Sequence, residues 1–237
     1  MIPGALVTRP LDDSRDLAEA LRSRGFDPLV EPMLTIHYRD GQAPERGRYQ
    51  GVLATSANGV RALARLAAWR DLPVWAVGDA SAREARDLGF VTVTSASGDV
   101  AALAALVAER ADPGAGPLLH VAASKAAGDL GGALAAKGFT VEKAVLYDAE
   151  PAEDFSPALL EALAESRLSA ALFFSPRTAA TFVRLAEKRH LGESLRQIKA
   201  LALSGAVAET LAPLPWRGVA VAKRPDQAAL LALLDGE

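Results

Sequence analysis

Cysteine is absent from the 237-residue sequence, which excludes disulfide bonds, thiolate metal sites and cysteine nucleophiles together. Histidine is scarce, and the three that occur, His37, His120 and His190, are widely separated. A metal site that combines His37 and His120 is the less favoured interpretation, and exposed or core-packed histidines are the expected one. We therefore predict no metal ion.

A basic excess and a long apolar run are also missing. The formal net charge is −3 and the pI is near 5.7, so no positive field attracts nucleic acid. No uninterrupted apolar stretch approaches the ~20 residues of a membrane helix. The first strand begins almost at once, which leaves no room for a signal peptide. We expect a soluble cytoplasmic protein that binds neither nucleic acid nor a membrane.

The common nucleotide and hydrolase signatures do not occur. The first strand is followed by VTRPLDDS, where a dinucleotide-binding protein would carry GxGxxG, and the sequence has no phosphate loop, GxSxG elbow or HExxH motif. A nucleotide-linked oxidoreductase is therefore disfavoured, and we predict that no cofactor is used.

Short apolar runs alternate with amphipathic helical patterns along the whole chain. Half of the residues are hydrophobic, 23% are charged and only 5% are aromatic, which is typical of α/β proteins rather than β-sandwiches. Alternation of this kind predicts parallel sheets with right-handed crossovers. The predicted strands are Ala5–Thr8, Pro28–Pro32, Gly51–Ala54, Val74–Val77, Val91–Val93, Leu118–Val121, Val141–Leu146, Ala170–Phe174, Ala200–Leu203 and Val219–Val221.

The sequence repeats itself in two pairs of segments. Residues 5–34 align without gaps on residues 118–147, and residues 52–107 parallel residues 171–234. Chance similarity between helices rich in alanine and leucine is the alternative explanation. The order of the repeats favours two similar doubly wound, flavodoxin-like domains.

We expect a discontinuous first domain at 1–33 and 150–237, and a second domain inserted at 38–145. The linkers are then residues 34–37 and 146–149, within two segments that carry proline and charge after a strand. A chain that crosses twice between domains predicts a hinged cleft, which is a usual place for a ligand.

Small polar residues follow most of the predicted strands. Many of them are Ser, Thr, Asn or Asp, the residue types that cap helix N-termini, and capping is the expected role of most. The same helix entrances present backbone N–H groups and positive dipole ends, which suit a ligand with several carboxylates. The candidate binding residues are Arg9, Thr55, Ser56, Asn58, Gly59, Gly78, Ser97, Lys125, Ser175, Arg177, Thr178 and Ser204.

Six motifs spread over the whole chain resemble the uroporphyrinogen-III synthase family. In order, they read LVTRP, TSANGV, AVGDASAREARDLGF, GFTVEKAVLYDAEP, FFSPRTAATF and VAKRPDQAALLALL. The resemblance implies two α/β domains joined by a two-strand linker, a cleft between them, and no cofactor. It also implies a monomer, with transient contact to the preceding pathway enzyme as a further expectation.

By this resemblance, the substrate is the linear tetrapyrrole hydroxymethylbilane, which carries eight carboxylates. The family cyclises it with loss of water and inversion of the last pyrrole ring, giving uroporphyrinogen III. Tyr147 stands where the family places a tyrosine near the leaving hydroxyl, and Ser81 stands where it often has threonine. Packing at a domain seam is the alternative role for Tyr147.

The sequence departs from the family pattern at two places. Val207 stands where a threonine is usual, and an arginine common near HVAASKAAGDL is missing, which leaves Lys125 as the candidate replacement. The rival functional hypothesis is a two-domain binding protein that closes on a polycarboxylate small molecule without catalysis.

Overall fold

The computed structural model describes residues 2–125 and 128–235, which fold into two compact units. One unit comprises Met1–Thr35 with Glu150–Glu237, and the other comprises Ile36–Ala149. In chain order, the elements are β1 (Gly4–Val7), α1 (Leu11–Arg22), β2 (Asp27–Val30), β3 (Leu34–Tyr38), a 3-10 turn (Arg46–Arg48), β4 (Gly51–Ala54), α2 (Ala57–Leu66), β5 (Val74–Ala76), α3 (Asp79–Asp87), β6 (Val93–Ser95), α4 (Val100–Arg110), β7 (Leu118–Ala123), α5 (Leu130–Ala135), β8 (Val141–Pro151), α6 (Pro157–Ala164), β9 (Leu168–Phe173), α7 (Pro176–Lys188), α8 (Gly192–Leu195), β10 (Lys199–Ala202), α9 (Gly205–Leu211), β11 (Gly218–Val221) and α10 (Gln227–Leu231).

Each unit is built on a parallel sheet with the same spatial arrangement of strands. The discontinuous unit has the order β2-β1-β9-β10-β11. The inserted unit has the order β8-β7-β4-β5-β6, with β3 added beside β8. The first is the 2-1-3-4-5 order of flavodoxin-like folds. The second has the same spatial arrangement in circularly permuted form, so that its strands β4 to β8, numbered in chain order, read 5-4-1-2-3. The predicted α/β class with two similar doubly wound sheets is therefore confirmed, and the internal repeat matches the two sheets strand for strand.

Helices cover both faces of each sheet because the strands are apolar on both sides. On β1, the side chain of Leu6 joins one buried cluster with Phe173 and Phe182, whereas Val7 joins the opposite cluster with Leu17. The inserted unit divides in the same way into two clusters. Among the described residues, no helix combines the length and the apolar character that a membrane span needs.

Three strand predictions were wrong in ways that have a physical cause. Residues 34–38 form β3, where the residue pattern alone predicted no strand, and β8 continues to Pro151 instead of ending at Leu146. A strand in each connecting segment agrees with the two-strand linker that the family resemblance implied. Both errors arise because β3 and β8 are neighbours in the sheet: Arg39 donates its backbone N–H to Leu146 (2.9 Å) and its guanidinium to Asp148 (2.7 Å). Cross-strand pairing of this kind stabilises a strand whose charged residues, taken by themselves, are typical of a loop.

The strand predicted at Val91–Val93 lies instead at Val93–Ser95, because Val91 is 81% exposed and precedes the sheet. The remaining predicted strands lie within two residues of their observed ends.

Candidate functional site

The strand order reverses once in each sheet, and most of the candidate residues follow the strands near that point. The reversal lies between β1 and β9 in one unit and between β7 and β4 in the other. Because the strands are parallel, their carboxyl ends meet at one edge, which we call the carboxyl edge of the unit. In open α/β sheets, ligands bind outside this edge at the reversal.

Ser56 and Tyr147 meet at the carboxyl edge of the inserted unit. Ser56 precedes α2 and its Oγ accepts the Gly59 N–H at 3.1 Å, which is the predicted N-cap. Tyr147 lies on β8 opposite Ala123, the last residue of β7, and its hydroxyl is 2.7 Å from the Ser56 Oγ. The tyrosine is 6% exposed, so its ring is packed in the core while its hydroxyl reaches the helix entrance. Sequence reasoning selected both residues but could not foresee their contact across 91 positions.

Thr55, the neighbouring candidate, contacts His120. The Thr55 Oγ1 is 3.2 Å from the His120 Nε2, and His120 lies on β7 opposite Leu53. Burial disfavours the charged ring, and this effect, with a smaller one from the nearby Lys143, lowers the pKa of His120 from 6.5 to about 4. His120 is therefore a neutral, core-packed histidine at pH 7.

His37 and His190 are exposed. Within residues 2–125 and 128–235, no group of three or more His, Cys, Asp or Glu side chains is arranged to hold a metal ion.

Asn58, in the first turn of α2, is held from two sides. Its Oδ1 accepts a hydrogen bond from Arg61 Nη1 at 3.0 Å and a longer one from the Tyr38 hydroxyl at 3.4 Å. Sequence reasoning missed both partners. The three-residue spacing of Asn58 and Arg61 was a usable signal for one of them, whereas Tyr38 comes from β3, a strand that was not predicted from the residues.

The candidate residues around α3 differ in burial and in hydrogen bonding. Gly78 precedes the helix with open space where a side chain would lie, and Ser81 is buried in the first turn. Ser97 has a left-handed φ of 48° and its hydroxyl donates to Asp79 at 2.9 Å. Hydrogen bonds from Ser95 and Ser97 lower the pKa of Asp79. The N-terminus of α3 therefore already carries a carboxylate of the chain itself. The Ser97 hydroxyl is thus used within the chain.

Lys125 lies just past β7 and is exposed. The preceding residue, Ser124, donates its backbone N–H to the Tyr147 carbonyl at 3.2 Å, which joins the end of β7 to β8. This places an exposed ammonium-bearing residue two positions beyond Ala123, the register partner of Tyr147.

The discontinuous unit has a hydroxyl cap at the corresponding strand end. Ser175 follows β9 and its Oγ accepts the Thr178 N–H at 3.2 Å, while the Thr178 hydroxyl donates to the Ser175 carbonyl at 2.9 Å. Thr178 is buried and Arg177 is half-buried. Ser204 precedes α9 without a side-chain cap bond.

Arg9, just past β1, is positioned by three neighbours. Its guanidinium lies over the Phe174 ring at 4.6 Å, donates to Gln227 at 3.3 Å, and is 3.7 Å from the Asp13 carboxylate. The candidates of this unit that flank the strand reversal, Arg9 and Ser175, are therefore brought to one edge, as they are in the inserted unit.

A family model described as uroporphyrinogen-III synthase HemD matches residues 15–232 of the sequence. The chain belongs to the uroporphyrinogen-III synthase family. Members of this family are enzymes of tetrapyrrole synthesis. No match was found among curated proteins.

Solved structures of the family share this fold. The uroporphyrinogen-III synthetase of Helicobacter pylori is 17% identical, with a TM-score of 0.66 and 98% of each chain covered. A mutant uroporphyrinogen III synthase of Thermus thermophilus is 21% identical, with a TM-score of 0.57 and coverage of 98% of this chain and 97% of that chain. At sequence identities of 17% and 21%, this structural similarity establishes the fold alone.

Gly59 is needed in this family member for a close approach of α2 to β7. A Cβ at this position would lie 2.7 Å from the Val121 carbonyl oxygen, which is backbone and cannot rotate away. We expect overpacking in Gly59→Ala to lower the free energy of unfolding by about 1–3 kcal/mol. The better helix propensity of alanine offsets up to ~1 kcal/mol of this loss. Urea unfolding measures the change.

The matched control is Gly78→Ala, where a Cβ meets open space and φ is −150°. Its unfolding free energy should fall by less than about 1 kcal/mol, because Gly78 is the N-cap of α3 and alanine there is merely a poorer cap than glycine. Equal stability of the two variants would show that α2 can shift without cost.

Proposed function

We propose that the protein is a uroporphyrinogen-III synthase, a lyase that cyclises hydroxymethylbilane with loss of water and inversion of the last pyrrole ring, using neither metal nor organic cofactor. The observation that carries the proposal is the Ser56–Tyr147 hydroxyl pair, partly buried at the carboxyl edge of the inserted unit, in a chain that belongs to this family. The chain's membership of a family of enzymes favours catalysis over the alternative of a binding protein.

The helix entrances at each carboxyl edge support the proposed binding of substrate carboxylates. The α2 and α7 helices, of 10 and 13 residues, have their positive dipole ends there. In α2, Ser56 accepts the Gly59 N–H, and the N–H groups of the two residues before Gly59 point the same way, toward acetate and propionate arms. In α7, Pro176 has no N–H and Ser175 accepts the Thr178 N–H, so this helix contributes its dipole end and hydroxyl groups. Arg9, Arg177 and Lys125 supply discrete positive charges beside them. The expected role of the caps and the proposed role in binding are therefore compatible.

The Ser56–Tyr147 geometry supports donation of a proton to the departing hydroxyl. The Ser56 Oγ has two lone pairs and one hydrogen, and the Gly59 N–H occupies one lone pair. When Ser56 donates its hydrogen to the phenol oxygen, Tyr147 is the acceptor in that bond, and the proposed proton donation to the substrate comes from the phenol's own hydrogen. This arrangement orients the phenol and stabilises negative charge that develops on it.

The reaction then needs little further chemistry from the protein. The pyrrole nitrogen lone pair expels the hydroxyl, which leaves as water with the proton from Tyr147, and an azafulvenium cation forms. The substituted carbon of the last ring attacks this cation to form a spiro intermediate. The original bond from that carbon to the methylene of the neighbouring ring then breaks, and the methylene forms a new bond to the free α-carbon, which inverts the last ring. Ring closure releases a proton from a ring carbon, and the Tyr147 oxygen recovers it. Holding the folded conformer is worth about 7–11 kcal/mol in favourable cases.

Ser81 is proposed as a second hydroxyl contact, since it is buried at the start of α3 beside the same edge. We propose further that the enzyme acts as a monomer, as the family resemblance implies, and in the cytoplasm, since the lack of cysteine suits a reducing compartment. Transient contact with the preceding pathway enzyme stays a prediction.

The proposal is tested by supplying hydroxymethylbilane generated enzymatically and measuring the ratio of the III isomer to the I isomer. We expect the III isomer to dominate, with activity unchanged after dialysis against a strong chelator. Formation of the I isomer alone, at the rate without protein, would instead match the non-catalytic binding protein. Loss of activity on chelation, restored by a divalent ion, would contradict the metal-free mechanism.

A further inference from the structure

Arg61 links the α2 entrance to the neighbouring helix without belonging to the mechanism above. It lies three residues after Asn58 on the same helix face, and its Nη1 donates to the Asn58 Oδ1 at 3.0 Å. Its Nη2 pairs with the Glu84 carboxylate on α3. The side chains of Arg61 and Glu84 are only 16% and 22% exposed, so the pair is largely shielded from water.

The chemistry of the guanidinium determines how the Asn58 carboxamide is turned. A guanidinium carries only donors, so the Asn58 atom that faces Arg61 must be the oxygen. The NH2 group then occupies the other arm of the carboxamide. Asn58 is 7% exposed and its oxygen also accepts from Tyr38, so the amide is held in this orientation from two sides.

We propose that Arg61, itself held by Glu84, is a positioning residue that orients the Asn58 NH2 group to donate to a carboxylate of the substrate at the α2 entrance. The inference rests on the proposed function. Because Glu84 balances the charge of Arg61, the effect on the substrate runs through the orientation of the amide and not through net charge. Arg61 therefore controls substrate affinity and leaves the chemical step to Tyr147.

A double-mutant cycle separates this role from a structural one. The four proteins are the wild type, Asn58→Ala, Arg61→Met and the double variant, each assayed for kcat and KM with hydroxymethylbilane. We expect each single substitution to raise KM about three- to tenfold, as for loss of one hydrogen bond to a charged group. We expect kcat to change less than about twofold, which is typical of lost uniform binding. The double variant should be no worse than Asn58→Ala alone, because Arg61 acts through Asn58.

Arg61→Lys provides a second measurement that keeps the charge. A single ammonium cannot reproduce the fork that bridges Asn58 and Glu84, so KM should rise as it does in Arg61→Met. The control is Arg110→Lys, which makes the same change in an arginine paired with Glu109 on α4. Its KM should equal that of the wild type. If Arg61→Met does not fold, Arg61→Lys takes its place in the cycle.

Three outcomes would overturn the inference while the wild type is active. These are an unchanged KM in the Arg61 variants, full recovery of KM by lysine, and KM effects of Asn58→Ala and Arg61→Met that multiply in the double variant. A wild type that makes no III isomer would overturn the proposed function as well. The wild-type assay thus distinguishes the two failures.

Discussion

Tyr147→Phe is expected to lower kcat tenfold or more while KM stays within about twofold of the wild type. The substitution removes only the hydroxyl, which is 2.7 Å from the Ser56 Oγ, and leaves the ring in its buried setting. Proton donation by a positioned side chain contributes typically 10²–10⁴-fold, so a tenfold loss is the low end of the effect. Since hydroxymethylbilane closes without inversion when the enzyme is slow, the I isomer should accumulate.

The matched control for this prediction is Tyr49→Phe in the same unit. The Tyr49 hydroxyl donates to Glu142 at 3.0 Å, and Tyr49 precedes β4, at the opposite end of the strand from Ser56. Both variants lose one phenol hydrogen bond, worth about 1 kcal/mol of stability, and only Tyr147→Phe should lose kcat. An unchanged kcat in Tyr147→Phe would leave Tyr147 as a packing residue, and Ser81 would become the next candidate for the acid.

His120 is expected to make the protein less stable as the pH falls from 6.5 towards 4. Burial lowers the pKa of folded His120 to about 4, against about 6.5 for an unfolded histidine. In this window the unfolded chain binds a proton that the folded chain does not, so the free energy of unfolding decreases on acidification. The loss is about 2 kcal/mol between pH 7 and pH 4.5 and approaches about 3 kcal/mol at pH 4.

Urea unfolding of the wild type and of His120→Gln across this range measures the effect. Glutamine does not titrate, and its amide can lie near the position of Nε2. The free energy of unfolding of His120→Gln should therefore fall less on acidification than that of the wild type, by the loss assigned to His120 above. Two carboxylates act in a separate, more acidic window. Hydrogen bonds from Arg39 and Arg189 lower the pKa of Asp148 and of Asp154 to about 2, so their contribution is lost as the pH falls from about 4 to 2 in both proteins. If the unfolding free energies of the two proteins fell in parallel between pH 6.5 and 4, His120 would be protonated as readily in the folded protein as in the unfolded chain.

Local patterns were sufficient to predict the helix entrances. Ser56 and Ser175 each cap the helix that follows, as their residue types and positions indicated. A cap depends on contacts within three residues, so its signal lies in the adjacent sequence. Ser204 and Gly78 have the same position but make no side-chain cap bond, and glycine could not make one.

The sequence by itself determined the α/β class, the internal repeat and the family, because periodicity, turn residues and motif order are local properties summed over the chain. Only the tertiary structure decided that Tyr147 meets Ser56, that His120 lies beside Thr55, and that Tyr38 of β3 reaches Asn58. These contacts join segments that are far apart in the chain, and no local pattern encodes which strand lies next to which. The chemistry of the candidate site depends on those contacts, since a hydroxyl acts through its partner and a histidine is neutral or charged according to its burial.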